Sequence, residues 1–273
     1  MHPCLTGIVD ELAPIGLAEL EAAAALLDRV DHKYVLSAES LAAVFAGLDG
    51  TYRVLEIDGR REFAYRSTYF DTASLTTFRH HVQQRRRRYK VRAREYVDAG
   101  LCSFEVKLKS SRGRTVKRRM SYDPGLDHLT NEAMAFLAES VAREYGHAPP
   151  EAMVPTLSMR FDRITLVAVE LGERVTIDMG LSFRGTGGAV GRMVGDCAIV
   201  ESKSATGRAS IDRLLQRAGI RPEPACSKYC LGIGLLRPEE RVNAFRPLLR
   251  RHFDGGSAPA PAGAVAGAAQ GDA

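Results

Sequence analysis

The sequence predicts an α+β domain built on antiparallel strands, and three observations point there. Basic residues recur at every second position through residues 85–119, the period at which a β-strand lines one face. Two series of strand-like segments flank one helical stretch that ends at Tyr145. Apolar residues make up 45% of 273 positions, enough for a substantial core.

In chain order, residues 15–27 place apolar groups on a broad helical stripe within Ala- and Glu-rich text. Residues 31–37, DHKYVLS, read as a short strand, and Ser37 is a plausible cap for a helix reaching Leu48. A second strand covers 62–71 and ends in YFDT, followed by a turn and short helix or an extended connection up to His81. Residues 89–97 and 102–110 are two strands joined at Asp98-Ala99-Gly100, a hairpin signal. After the turn Ser111-Arg112-Gly113, residues 114–122 form a third. Residues 124–145 carry Leu, Met and Phe at helical spacing, and 146–150 close that section. The second strand series spans 156–169, 174–183 and 197–203, with a Gly-rich break at 185–191. Helices are expected at 211–218 and 227–236. Residues 255–273 contain only Gly, Ala, Ser, Pro, Val, Gln and one Asp, which reads as a disordered tail. Neither strand series closes a core alone, so one domain is expected over 25–240, preceded by a helical extension (1–24) and followed by a C-terminal one (241–273).

Charge is local. The chain's formal net charge is +5, but residues 85–119 hold fourteen Lys or Arg and three acids, a net +11. Such a segment suits a polyanion. Five widely spaced cysteines without a CxxC pair resemble neither a disulfide framework nor a structural zinc site. The N-terminus lacks signal-peptide order, and no run of about eighteen apolar residues occurs, so a cytoplasmic chain that does not itself span a membrane is expected. There is no GxxxxGKS phosphate loop and no kinase signature. Nucleic acid is disfavoured as a partner, because the cations lack interleaved aromatic stacking residues and no familiar binding motif appears.

Strand alternation sorts the charges into faces. Arg92 and Arg94 share one, as do Glu105, Lys107 and Lys109, Lys117 and Arg119, Arg160 and Asp162, Arg174, Thr176 and Asp178, and Glu201 and Lys203. One such pair alone reads as a solvated face; the accumulation points to an anion held against the sheet. If the sheet closes into a barrel, these faces line its interior. Guanidinium forks and ammonium groups suit phosphate oxygens. The acids among them either neutralise neighbouring cations or hold Mg²⁺ or Mn²⁺ against phosphate, with Glu201 the strongest single candidate. His32, His80 and His81 are equally well explained by packing or surface roles.

DHKYVLS, YRSTYFDT, YKVRARE, FEVKLKS, LSMRFDR, VTIDMGLSFR, VESKS and SKYCLG, in this order over roughly residues 25–236, resemble the VTC domain of polyphosphate polymerases within the triphosphate tunnel metalloenzyme (CYTH-like) superfamily. The resemblance implies an antiparallel β-barrel or tunnel with flanking helices. It implies transfer of the ATP γ-phosphoryl group to a growing inorganic polyphosphate chain, with release of ADP and Mn²⁺ or Mg²⁺ as cofactor. Relatives that hydrolyse triphosphate, other tunnel phosphotransferases, and a noncatalytic polyphosphate-binding module stand as alternatives. Carried over, the phosphate-binding set is Lys33, Arg92, Arg94, Lys107, Arg160, Lys203 and Lys228, with Lys109 and Arg119 as additions. Glu201 matches the metal-binding glutamate, and Tyr34 and Tyr69 support the wall. Lys228 rests on the resemblance alone. Arg85 to Arg88 cannot all point inward, which leaves part of the run as an external basic patch. The resemblance further implies a separate membrane-protein partner, placing the chain peripherally at the inner membrane face.

Overall fold

The computed structural model describes residues 2–23, 29–48, 50–110, 115–149 and 152–255. The turn expected at 111–113, Arg114, residues 24–27 of the first expected helix, and the tail beyond Gly255 lie outside the described residues. Helix α1 (Pro3–Glu11) leads through a two-residue strand β1 (Pro14–Ile15) and α2 (Leu17–Ala23) to β2 (Val30–Ser37) and α3 (Ala38–Phe45). Then come β3 (Arg53–Leu55), β4 (Glu62–Asp71), α4 (Thr76–Val82), β5 (Arg88–Tyr96), β6 (Leu101–Lys109) and β7 (Thr115–Ser121). Helix α5 (Asn131–Tyr145) separates these from β8 (Val154–Ala168), β9 (Glu173–Gly185), β10 (Val190–Met193) and β11 (Cys197–Ser204). The chain continues through α6 (Ser210–Arg217), α7 (Lys228–Leu236), α8 (Arg246–His252) and β12 (Phe253–Gly255).

The main sheet runs β2-β11-β9-β8-β4-β5-β6-β7, antiparallel throughout. Strands β10 and β12 extend it along the second half of β9. Strand β3 joins β8 and pairs in parallel with β1, which makes the sheet mixed. The expected closure into a barrel or tunnel is overturned: among the described residues no pairing joins β7 to β2 or to β12. Both edges have a physical reason to stay open. The free edge of β2 is met by the segment after α6, where Glu223 N–H donates to the Lys33 carbonyl at 2.7 Å. The free edge of β7 carries Lys117, Arg118 and Arg119 in succession, charges that discourage edge-to-edge pairing.

The sheet is nevertheless curled. Five strand spacings separate β11 from β6, about 24 Å if flat. Yet Lys107 on β6 feels the charge of Glu201 on β11, and Glu201 feels that of Lys107. Charges so far apart across water lie beyond a screening length of about 8–10 Å. Curling brings them into reach.

A bulge decides what the inner face carries. Between Arg160↔Ser182 and Asp162↔Met179, β8 contributes one residue and β9 two. Gly180, at φ +61°, absorbs the extra residue in a conformation that disfavours a side chain. Parity along β9 therefore flips. Asp178 faces inward before the bulge, and Leu181 and Phe183 face inward after it. The inner face is polar at one end and apolar at the other.

The apolar end packs Leu157, Met159, Phe161, Leu181 and Phe183 against α7. Gly232 lets α7 approach closely, since a Cβ there would meet Leu157 and Phe183 at 2.5 and 2.7 Å. The outer face of β2, β11, β9 and β8 is covered by α1, α3 and α6, with Leu5, Leu41, Ile177 and Leu215 fully buried. Helix α5 covers β5 and β6 through Leu137 and Val141. It starts at Thr130, whose side chain accepts from Ala133 N–H at 3.1 Å. Residues 124–129 precede that cap and are not helical, unlike the expectation from their apolar content.

Candidate anion-binding site

Register places the cations. Lys90 pairs with Lys107, which pairs with Lys117. One step along, Tyr69, Arg92, Glu105 and Arg119 form the next row, and Ser67, Arg94 and Ser103 the row after. Because side chains alternate with period two, all three rows face the same side. From the other end of the sheet, Lys33 pairs with Glu201, and Asp178 lies on the adjoining β9.

Three carboxylates each clip two cations from different elements. Glu201 meets Lys33 at 3.2 Å and Lys203 at 3.0 Å. Asp178, 0% exposed, receives Arg163 Nε and Nη2 at 2.5 and 2.8 Å and also binds Lys228 Nζ. Glu105, 2% exposed, binds Arg92 Nε at 2.7 Å and Lys117 Nζ at 2.5 Å. Burial works to raise all three carboxyls, and the paired cations override it and hold each well below the usual range. The acids therefore stay ionised across ordinary pH.

Lys90, Arg94 and Lys107 have no carboxylate within ion-pair distance among the described residues. Lys90 donates to Ser227 Oγ at 2.9 Å, and Arg94 Nε to Ser67 Oγ at 3.3 Å. Arg94 also lies 5.3 Å from the Tyr65 ring centroid and 5.8 Å from that of Phe161. Burial, joined by neighbouring cations, lowers the pKa of each. Lys107 falls to about 7, through burial first and then Lys90 and Lys33, against the pull of Glu201. Lys117 falls to about 8, again through burial first, with Arg92 and Arg94 opposing the pull of Glu105. Lys107 is at once exposed to solvent and surrounded by protein. A wall position on a curled face accounts for both: water reaches the amine, while protein fills most directions around it.

Helix α7 reaches the cluster through two ties. Asp71, 0% exposed, accepts from Thr77 N–H, Phe78 N–H and the Tyr229 hydroxyl at 2.7–2.8 Å, linking the start of α4 to α7. Ser227 caps α7 and accepts from both Cys230 N–H and Lys90 Nζ. Lys228, the next residue, is thereby aimed at Asp178, with Nζ 5.1 Å from the Phe161 ring centroid.

Of the residues singled out from sequence, Lys33, Arg92, Arg94, Lys107, Glu201, Lys203 and Lys228 come together here. Lys109 extends the lysine row beside Arg88. Arg119 stands opposite Glu105, but Lys117 makes the ion pair. Arg160 is not brought in. It is exposed on the other side of β8, between Arg66 and Ser182 in register. Arg163, three residues on, takes the inward place. Lys90 and Arg163 are the additions that strand reasoning passed over. Lys90 was recoverable from its parity with Arg92, while Arg163 was hidden by the uncertain face of β8.

The protein offers a divalent cation few free carboxylate oxygens among the described residues. Both oxygens of Glu201 are engaged by lysines. Both oxygens of Asp178 are also engaged, by Arg163 and Lys228. Among the described residues no group of three or more His, Cys, Asp or Glu side chains could hold an ion. A divalent cation at Glu201 would share that carboxylate with Lys33 and Lys203 and would need its remaining ligands from phosphate oxygens and water. Among the described residues, no helix is long and apolar enough to cross a membrane.

Residues 28–237 match the family model described as the VTC domain. No curated protein matches the chain. Solved structures with some likeness include an adenylate cyclase candidate from Vibrio parahaemolyticus, 14% identical at a TM-score of 0.44, covering 75% of this chain and 97% of that one. The Hippeastrum protein HpAC1, described as having a dominant triphosphatase activity, is 15% identical at a TM-score of 0.42, covering 79% and 98%. The PH1012 protein from Pyrococcus horikoshii is 14% identical at 0.38, covering 74% and 98%. All three likenesses are distant in both sequence and shape.

Proposed function

The chain belongs to the VTC domain family, and on that premise we propose that it is a polyphosphate polymerase that transfers the γ-phosphoryl group of ATP to a growing polyphosphate chain and releases ADP. The observation that carries this reading is the gathering, among the described residues, of nine cations, Lys33, Lys90, Arg92, Arg94, Lys107, Lys117, Arg163, Lys203 and Lys228, around Glu201, Asp178, Glu105 and the more distant Asp31. Such an excess repels itself until an anion of comparable charge lies against it.

In the reaction, a terminal oxygen of bound polyphosphate attacks the γ-phosphorus. The bond from γ-phosphorus to the β–γ bridging oxygen breaks, and that oxygen leaves on ADP. The protein supplies position and charge. Lys and Arg side chains stabilise the negative charge on the transferred group and on the departing diphosphate. Glu201, Asp178 and Glu105 hold six of the cations at fixed places, so little reorganisation accompanies the transfer. No protein nucleophile is required, and no phosphoenzyme forms.

The test uses purified protein, ATP and a short polyphosphate primer, with Mg²⁺ or Mn²⁺ supplied with the nucleotide. Chain growth matched by ADP is the expected result. Orthophosphate release without growth identifies a hydrolase, and polyphosphate binding without turnover identifies a noncatalytic module. A stoichiometric, turnover-competent phosphoenzyme in intact-mass measurements overturns direct transfer.

A further inference from the structure

A cavity of about 770 Å³ opens along the free edge of β2, lined among others by Asp31, His32, Lys33, Gln216, Pro222 and Glu223. Its volume lies within the range of about 300–1,000 Å³ usual for small-molecule sites. The segment between α6 and α7 forms its far wall. That segment is pinned by Glu223 N–H on the Lys33 carbonyl and by Ile220 N–H on the Leu215 carbonyl at 2.9 Å. The cavity is therefore formed before any ligand arrives, and little ordering cost opposes binding.

Two features connect it to the cation cluster and set it apart. Lys33 belongs to both, since it lines the cavity and its Nζ meets Glu201. Cys226, at the other wall, is followed directly by Ser227 and Lys228. The charge balance then changes. In the cluster cations far outnumber acids, whereas the lining here has as many acids, Asp31 and Glu223, as Lys and Arg residues, Lys33 and Arg221, and each acid also meets an arginine outside the lining, Arg29 at 3.0 Å and Arg251 at 3.9 Å. Further phosphate gains little in such surroundings, and an uncharged polar group gains more.

We propose that this cavity is a subsite for the nucleoside end of a nucleoside triphosphate whose phosphates lie on the cluster. It rests on the ATP-dependent reading above. Carboxylate oxygens of Asp31 and Glu223 suit ribose hydroxyls, which they can accept from. The Gln216 amide offers a donor and an acceptor to a base edge. Pro222 and Pro224 give apolar contact to a base face.

The experiment measures binding of ATP and of inorganic tripolyphosphate to the full chain by calorimetry, in wild type, Gln216→Ala and Gln216→Trp. Gln216 is exposed near the end of α6 and its side chain also bears on the buried Tyr34 hydroxyl, which keeps its own 2.9 Å bond to Asp212 in both variants. Filling the cavity in Gln216→Trp should weaken ATP binding about tenfold, or about 1.4 kcal/mol, with a smaller loss in Gln216→Ala. Tripolyphosphate should bind all three proteins alike. Equal effects on both ligands, an unaltered ATP affinity in Gln216→Trp, or no binding of ATP to wild type each overturns the subsite. The two readings also fail separately. Cavity-dependent ATP binding without chain growth removes the polymerase and keeps the subsite. Chain growth from ATP at equal KM in wild type and Gln216→Trp removes the subsite and keeps the polymerase.

Discussion

Lys107 makes polyanion binding depend on pH in a direction that can be worked out beforehand. Its amine, lowered to about 7, is mostly charged at pH 6 and mostly neutral at pH 9. A bound polyphosphate favours the charged form and pulls the proton back. Affinity therefore falls as pH rises above 7, by at most about tenfold per pH unit for one coupled proton, or about a hundredfold by pH 9. Lys117, at about 8, adds at most about another tenfold between pH 8 and 9. Lys107→Arg keeps the charge and removes the titration, because arginine stays protonated throughout this range. The assay is calorimetric binding of tripolyphosphate from pH 6 to 9 at fixed ionic strength, for wild type and Lys107→Arg. The ligand's own ionisation is common to both proteins and cancels in their ratio. The wild type should lose affinity relative to the variant above pH 7, and binding near pH 8 should take up protons, seen as a dependence on buffer ionisation heat. The ligand-free protein moves the other way. A folded-state pKa below the unfolded value means that the unfolded chain binds more protons between about pH 7 and 10.4, so this lysine's contribution to stability rises with pH there. A ratio that stays constant from pH 6 to 9 refutes the placement of Lys107 in a cationic wall.

Asp178→Asn leaves Arg163 and Lys228 buried without their shared carboxylate and should destabilise the fold by about 3–5 kcal/mol, measured by urea unfolding. Since the Asp178 carboxyl is depressed in the folded state, its contribution to wild-type stability is present above about pH 4 and is lost as pH falls through the folded value; a wild-type acid-unfolding profile no steeper than that of Asp178→Asn contradicts this. Glu201→Gln frees Lys33 and Lys203, so tripolyphosphate should bind more tightly while chain growth slows; weaker binding in calorimetry would show that Glu201 does more than fix the two lysines. Gly180→Ala should cost about 1–2 kcal/mol in thermal or urea unfolding, because φ is +61° while the added Cβ meets only Asp162 Oδ2 at an ordinary 3.5 Å.

The cation face was legible because alternation survives in β5 and β6, whose regular pairing makes parity in the sequence equal to parity in space. β4 and α7 were legible for similarly local reasons: an uninterrupted β-rich run in one, a Ser cap in the other. Parity failed where the register slipped. Nothing local to LSMRFDR says that Arg163, and not Arg160, faces inward; that depends on which side of β8 meets α7. The bulge at Gly180 was equally hidden, since VTIDMGLSFR reads as one regular strand and a single glycine does not announce an inserted residue. Closure was the largest error. It required a pairing between β7 and β2 across the 77 residues from 38 to 114, and no local signal bears on such an edge. The short strands β3, β10 and β12, of three or four residues, exist only through their partners and left no periodic trace.

An open sheet changes what must hold the cations in place. A closed wall would fix each strand by hydrogen bonds on both sides, whereas here β2 and β7 are edges that could splay under like-charge repulsion. The three carboxylates oppose this at the positions where it matters. Glu105 ties β7 to β5 across β6, Glu201 ties β2 to its own strand, and Asp178 ties α7 to β8. Glu105 and Asp178 are buried, Glu201 is half-buried, and all three are ionised, so each keeps two cations oriented at the cost of one unit of favourable charge for a ligand. What remains uncompensated is Lys90, Arg94 and Lys107, the groups whose pKa values are driven down by burial and by one another. Those three gain most when an anion arrives, and the clipped six give it a fixed shape to meet. On the proposed reading, a bound polyanion would do what the missing β7–β2 pairing does not: it would draw the two halves of the curled face together.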